Sequence, residues 1–156
     1  FGNLTVARAR STSFESNTRG ICSNGRDFDG PSVLNTIDYI TIQTTGNATD
    51  FGDSTESKDY VSGTSSNLRG LTAGGYAPGA SNVIDYITIA STGNAIDFGN
   101  LTRAIGSAAG VASPTRALKG GGNTPYVAEI DKIEIATTGN AIDFGDLTSA
   151  RADAGG

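Results

Sequence analysis

Carboxylates recur at a fixed spacing in this chain. Asp50 with Asp53, Asp97 with Asn100, and Asp143 with Asp146 each set two side-chain oxygens three residues apart, in an Asp-Phe-Gly phrase written three times. Hard oxygens suit calcium, which takes six or more of them, and only two or three stand at any one place. Paired carboxylates can also hydrolyse a glycosidic bond without histidine. Such a site needs two acids in different roles, and equivalent pairs in every copy single out none. The bland chemistry fits better: each carboxylate caps a turn by accepting nearby backbone N–H groups. No catalytic residue, metal ligand or cofactor is assigned, and the chain is expected not to be an enzyme.

The rest of the inventory narrows the chemistry further. There is no histidine, which removes imidazole base catalysis, Ser-His-Asp and Cys-His nucleophiles and His-ligated zinc. The single Cys22 has no internal disulfide partner and no base to activate it, so it reads as a bland thiol. Asp-Phe-Gly also occurs in kinases, but the glycine-rich loop, Val-Ala-Ile-Lys strand and His-Arg-Asp loop are missing. A net charge of −5 and an isoelectric point near 4.5 argue against nucleic acid as a partner. No run of 18 apolar residues is present, so no membrane span is expected. No signal peptide is visible. The chain begins at Phe1 without any methionine, and its natural start is expected to lie upstream or to have been removed.

What positions the carboxylates is a repeat. TTGNATDFGDST (44–55), STGNAIDFGNLT (91–102) and TTGNAIDFGDLT (137–148) are copies, and FGNLT (1–5) is the tail of another. The markers Phe51, Phe98 and Phe144, the arginines Arg19, Arg69 and Arg116, and the doublets Asn24-Gly25, Gly74-Gly75 and Gly121-Gly122 keep nearly the same step. Repeats are expected at 1–50, 51–97 and 98–143 of one domain, with a partial fourth at 144–156. Each reads as three or four short strands with no helix. An apolar run from the arginine stops at the doublet, and a turn-rich loop follows. Then come a strand (IDYITI from Ile37 and Ile84, IDKIEI from Ile130), a Thr-Gly-Asn turn and a second strand. Alternation assigns the pairs Ile40 and Ile42, Ile87 and Ile89, Ile133 and Ile135 to the core face. The opposite face carries Tyr39 and Tyr86 but Lys132 and Glu134 in the third copy. That polarity marks an array end or a subunit contact.

The order of apolar run, glycine doublet, loop, strand, turn and aromatic-bearing strand resembles a degenerate kelch repeat. Phe51, Phe98 and Phe144 stand where kelch usually has tryptophan, and Asn24-Gly25 departs from the doublet. The tandem IDYITIASTGNAIDFG units also resemble repeat arrays of predicted bacteriophage tail-fibre and virion proteins, over almost the whole chain. The resemblance implies an all-β propeller or open stack of blades with a structural or host-contacting role. Asp-x-Gly also resembles the Asp-box of sialidase propellers, but Ala48, Ala95 and Ala141 replace its serine.

The expected function is therefore a non-enzymatic, self-associating subunit or segment of an extracellular or virion-surface fibre. Its partner would be itself, as a homo-oligomer or head-to-tail polymer. The isoleucines hold the sheets, phenylalanines and glycines set the hairpins, and the arginines tie neighbouring units by ion pairs or carbonyl clamps. The alternative is a receptor- or glycan-binding propeller using loops 25–36, 75–82 and 121–129. Asn3, Asn47 and Asn100 lie in glycosylation triplets, relevant only in a glycosylating host.

Overall fold

A computed structural model describes residues 1–30 and 32–153. Pro31, within the loop expected at 25–36, and 154–156, the end of the partial fourth repeat, lie outside the described residues. Among the described residues thirteen strands form three antiparallel sheets, none closed into a barrel, and there is no helix.

The first sheet holds β1 (Arg8–Ala9), β2 (Thr12–Glu15), β3 (Arg19–Asp27), β4 (Val33–Thr41) and β5 (Thr49–Asp53). β1 and β2 both pair with β3, which pairs with β4, which pairs with β5. The second sheet runs β6 (Ser62–Ser65), β7 (Arg69–Ala73), β8 (Val83–Thr88) and β9 (Ile96–Asn100) in chain order. The third repeats that order with β10 (Ala109–Ala112), β11 (Arg116–Gly120), β12 (Glu129–Glu134) and β13 (Ile142–Asp146). Short strands joined by tight turns need only local pairing, so a meander is the expected result.

Register explains the Phe-Gly phrase. Asp38 pairs with Asp50 and Ile37 with Gly52, so Phe51 is an extra residue in β5. The same bulge recurs at Phe98, between Asp97 and Gly99, and at Phe144, between Asp143 and Gly145. A bulge re-aims its side chain and bends the strand. The glycine that follows takes φ of 142°, 144° and 141° in the three copies, a region that other residues rarely adopt. The doublets are alike in this respect. Gly74 and Gly121 sit at φ 67°, and Asn24, which takes their place, sits at φ 59°. Asparagine tolerates this left-handed conformation, so Asn-Gly does the work of Gly-Gly.

The core lies between sheets. Phe14, Ile21, Ile37 and Phe51 of the first sheet meet Ile87 and Ile89 of the second. Leu71, Ala73, Ile84 and Phe98 of the second meet Ala117, Ile133 and Ile135 of the third. Two expectations change here. Burial is not confined to one face of the central strand, because Ile37 and Ile84 are as deeply buried as Ile87 and Ile89. The pairs are also not equivalent: Ile89 and Ile135 are 1% and 2% exposed, while Ile42 is 40% exposed and Ile40 half-buried. The reason is stacking. A middle sheet is covered on both sides, and the first sheet turns its Ile40 and Ile42 face outward. The loop expected at 25–36 is also shorter, since β3 continues to Asp27 and β4 starts at Val33.

Candidate assembly site

Three sets of polar contacts join consecutive sheets. The first is backbone to backbone. Gly93 donates to the Phe51 carbonyl (2.7 Å), Ala95 donates to the Asp53 carbonyl (2.8 Å), and Asp53 N–H donates to Asn94 Oδ1 (3.0 Å). The next junction repeats this: Gly139 to Phe98 (2.8 Å), Ala141 to Asn100 (2.8 Å), and Asn100 N–H to Asn140 Oδ1 (3.0 Å). The Thr-Gly-Asn turn of one copy thus sits on the bulged Phe-Gly strand of the copy before it. Approach is close: a Cβ at Gly52 or Gly99 would lie 2.5 Å from the Gly93 or Gly139 carbonyl oxygen. Only glycine fits such a backbone-on-backbone contact.

The second set is a clasp on a buried aspartate. Thr55 gives its hydroxyl to Asp85 Oδ1 (2.6 Å) and its N–H to Oδ2 (3.3 Å). Thr102 does the same for Asp131 (2.6 and 3.0 Å) and Thr5 for Asp38 (2.6 and 3.1 Å). A buried carboxylate needs such donors and a nearby cation. The cation differs each time. Arg8 Nη2 lies 2.8 Å from Asp38 Oδ2, both side chains fully buried. Lys58 Nζ lies 3.7 Å from Asp85. For Asp131 the attraction comes from Lys119, because Ile105 occupies the position matching Arg8 and Lys58. Neither Lys58 nor Lys119 Nζ has a hydrogen-bond acceptor among the described residues. Burial lowers the Lys119 pKa to about 7; Asp131 opposes the shift and Lys58 adds to it. Burial raises the Asp85 carboxyl above its ordinary value, against the pull of Thr55 and Lys58.

The third set is arginine. The Arg19 guanidinium lies over the Tyr39 ring at 4.5 Å and donates to the Ile89 carbonyl of the next sheet (2.7 Å). Arg69 lies over Tyr86 at 4.7 Å and donates to the carbonyls of Ile135 and Ala136 (2.9 and 3.0 Å). The stacked tyrosines meet Phe51 and Phe98 edge-on. Arg116 is held instead by Glu134 (3.1 Å), and Lys132 replaces the tyrosine and also meets Glu134.

The structure thus brings together most residues singled out by their recurrence. Arg19 and Arg69 clamp the next sheet, Phe51 and Phe98 fill the layers, and the glycines shape close approaches. Phe144 stands apart, at 57% exposed against 3% for Phe51 and Phe98, and nothing lies within 4 Å of a Cβ built on Gly145. Asp97 and Asp143 accept the N–H of Gly99 and Gly145, a local turn cap. Recurrence had not drawn attention to the Thr–Asp clasp, although Thr5, Thr55 and Thr102 and Asp38, Asp85 and Asp131 recur as regularly as the arginines. Among the described residues no cluster of three or more His, Cys, Asp or Glu could hold a metal ion. No family model matches the sequence, and no curated protein shows significant similarity to it.

Proposed function

We propose that the chain is a non-enzymatic structural repeat protein, a segment or subunit of an extracellular fibre in which kelch-like units stack as blades and copies join head to tail. One observation carries this reading. The junction between the first two sheets and the junction between the next two use the same bonds, and the third sheet sets out one side of that junction again. Phe144 and Gly145 hold the same bulge and the same φ as their counterparts, yet Phe144 is exposed where Phe51 and Phe98 are buried, and no turn lies over Gly145 as one lies over Gly52 and Gly99. A preformed face matching two existing interfaces of the same chain fits another unit of the same kind. The first sheet offers the complementary outer surface, an apolar hollow of about 270 Å³ between Leu4, Cys22, Ile40 and Ala48.

The polar Arg116–Glu134–Lys132 group on the third sheet makes this join weaker than the internal ones, so assembly is reversible and concentration-dependent. Negative-stain electron microscopy and light scattering across a dilution series test the reading. Filaments or oligomers that grow with concentration support it. Single 15.8-kDa particles at every concentration refute it. Discs that do not grow, with sugar bound at the loops, would favour a closed glycan-binding propeller.

A further inference from the structure

Residues 1–8 and residues 144–153 carry the two halves of one junction. Inside the molecule the linkers Ser54–Tyr60 and Leu101–Ser107 each bond backward, to the sheet they leave and the segment before it, and forward to the sheet they enter. The backward set has four backbone bonds in each case. For the second linker these are Leu101 to Asn82, Ile105 to Ser81, Gly75 to Ile105 and Ser107 to Tyr60. Residues 147–153 make the same four: Leu147 to Ala128, Arg151 to Val127, Gly122 to Arg151 and Asp153 to Ser107. Their forward set is unmade. Thr148 is exposed, and the Arg151 guanidinium turns back on Thr148 and Ser149.

Residues 1–8 show the reverse. They make the forward bonds to the first sheet. Asn3 N–H donates to Asn47 Oδ1 (3.0 Å), Ala48 donates to the Asn3 carbonyl (2.9 Å), Thr5 clasps Asp38, and Arg8 reaches Asp38 and the Thr36 carbonyl (2.7 Å). The phrases are nearly the same, FGNLTVAR at 1–8 and FGDLTSAR at 144–151. Arginine fills the last position only in these two; inside the chain that position holds Lys58 and Ile105.

We propose that copies join by segment exchange, residues 144–151 of one copy replacing residues 1–8 of the next on that copy's first sheet. The proposal rests on the head-to-tail reading above. Phe144 and Asp146 take the Thr45–Ala48 turn. Thr148 takes Asp38 through its hydroxyl and N–H, and Arg151 enters the site of Arg8. Residues 1–8 are then an internal plug on the acceptor sheet. The plug competes from within the same chain, at the high effective concentration of a tethered ligand. Association is therefore slow and needs concentrated protein.

Two full-length variants test the exchange. Asn3→Cys with Asn47→Cys, in a Cys22→Ser background, lets a disulfide hold the plug in place. The oxidised protein is expected to stay monomeric and the reduced form of the same variant to associate, that reduced form and not the parent being the reference because Asn47 Oδ1 takes part in the junction. In Thr148→Val/Arg151→Ala both altered side chains face solvent in the lone copy, so melting is expected to be unchanged. Association is expected to weaken at least tenfold, by roughly the loss of one charged and one neutral hydrogen bond. Association that persists equally in the oxidised protein and in Thr148→Val/Arg151→Ala overturns the exchange while head-to-tail joining stands. Absence of association in every form overturns both.

Discussion

Lys119→Met is the sharpest test of the electrostatics between the second and third sheets. The Lys119 ammonium is buried without a hydrogen-bond acceptor among the described residues, beside Asp131 and repelled by Lys58. Its pKa in the fold is lowered to about 7, from an ordinary value of 10.5. Between those values the unfolded chain holds a proton that the folded chain has released. Stability from this group therefore rises with pH across that window and is flat below it. The slope approaches about 1.4 kcal/mol per pH unit above pH 7, so wild type gains roughly 2 kcal/mol between pH 7 and 9 from Lys119 alone. Methionine is close in shape and carries no charge. Lys119→Met is expected to be more stable than wild type at pH 6, with the difference shrinking by about 3 kcal/mol by pH 9. Urea unfolding of both proteins at pH 6, 7, 8 and 9 measures it. Parallel stability curves, or a Lys119→Met protein weaker than wild type at pH 6, would refute the argument that the desolvation of this buried ammonium is the dominant cost there.

Two further predictions concern the junctions. Phe98→Ala is expected to cost about 3–4 kcal/mol by opening a cavity in the layer between the second and third sheets, whereas Phe144→Ala in the same bulge costs under about 0.5 kcal/mol in dilute protein. Chemical denaturation distinguishes them, and equal costs would mean that the third bulge is covered in the monomer. Thr102→Val removes the 2.6 Å hydroxyl bond to buried Asp131 and is expected to cost about 1–3 kcal/mol. In an Asp131→Asn background the same change should cost less than half as much, and a double-mutant cycle with full additivity would show that the clasp is not the source.

Much of the architecture is legible in the residues. The recurring strand phrase, the Thr-Gly-Asn turns and the absence of helical periodicity mark an all-β chain of short strands, because strand alternation and turn chemistry are local properties. The Phe-Gly phrase was visible as a marker but not as a bulge, since a bulge is defined by the partner strand's register. The loop expected at 25–36 is shorter in the fold for a similar reason. Nothing in residues 25–36 announces that Gly25 and Arg26 find partners in Leu34 and Val33.

The candidate site divides in the same way. Recurrence along the chain singles out Arg19, Arg69 and Arg116 as ties between units. Only the packed sheets separate Arg19 and Arg69, which stack on tyrosine and reach the next sheet, from Arg116, which Glu134 holds at home. The Thr–Asp clasps join residues 29 to 33 positions apart, and their strength comes from burial, which no single residue carries. By itself the sequence determined the strands, the turns and the period, because backbone preference and side-chain alternation act over a few neighbours. The tertiary structure decided which face of each sheet is covered, which phenylalanine stays bare and which lysine loses its water. Those outcomes depend on what the next sheet brings into contact.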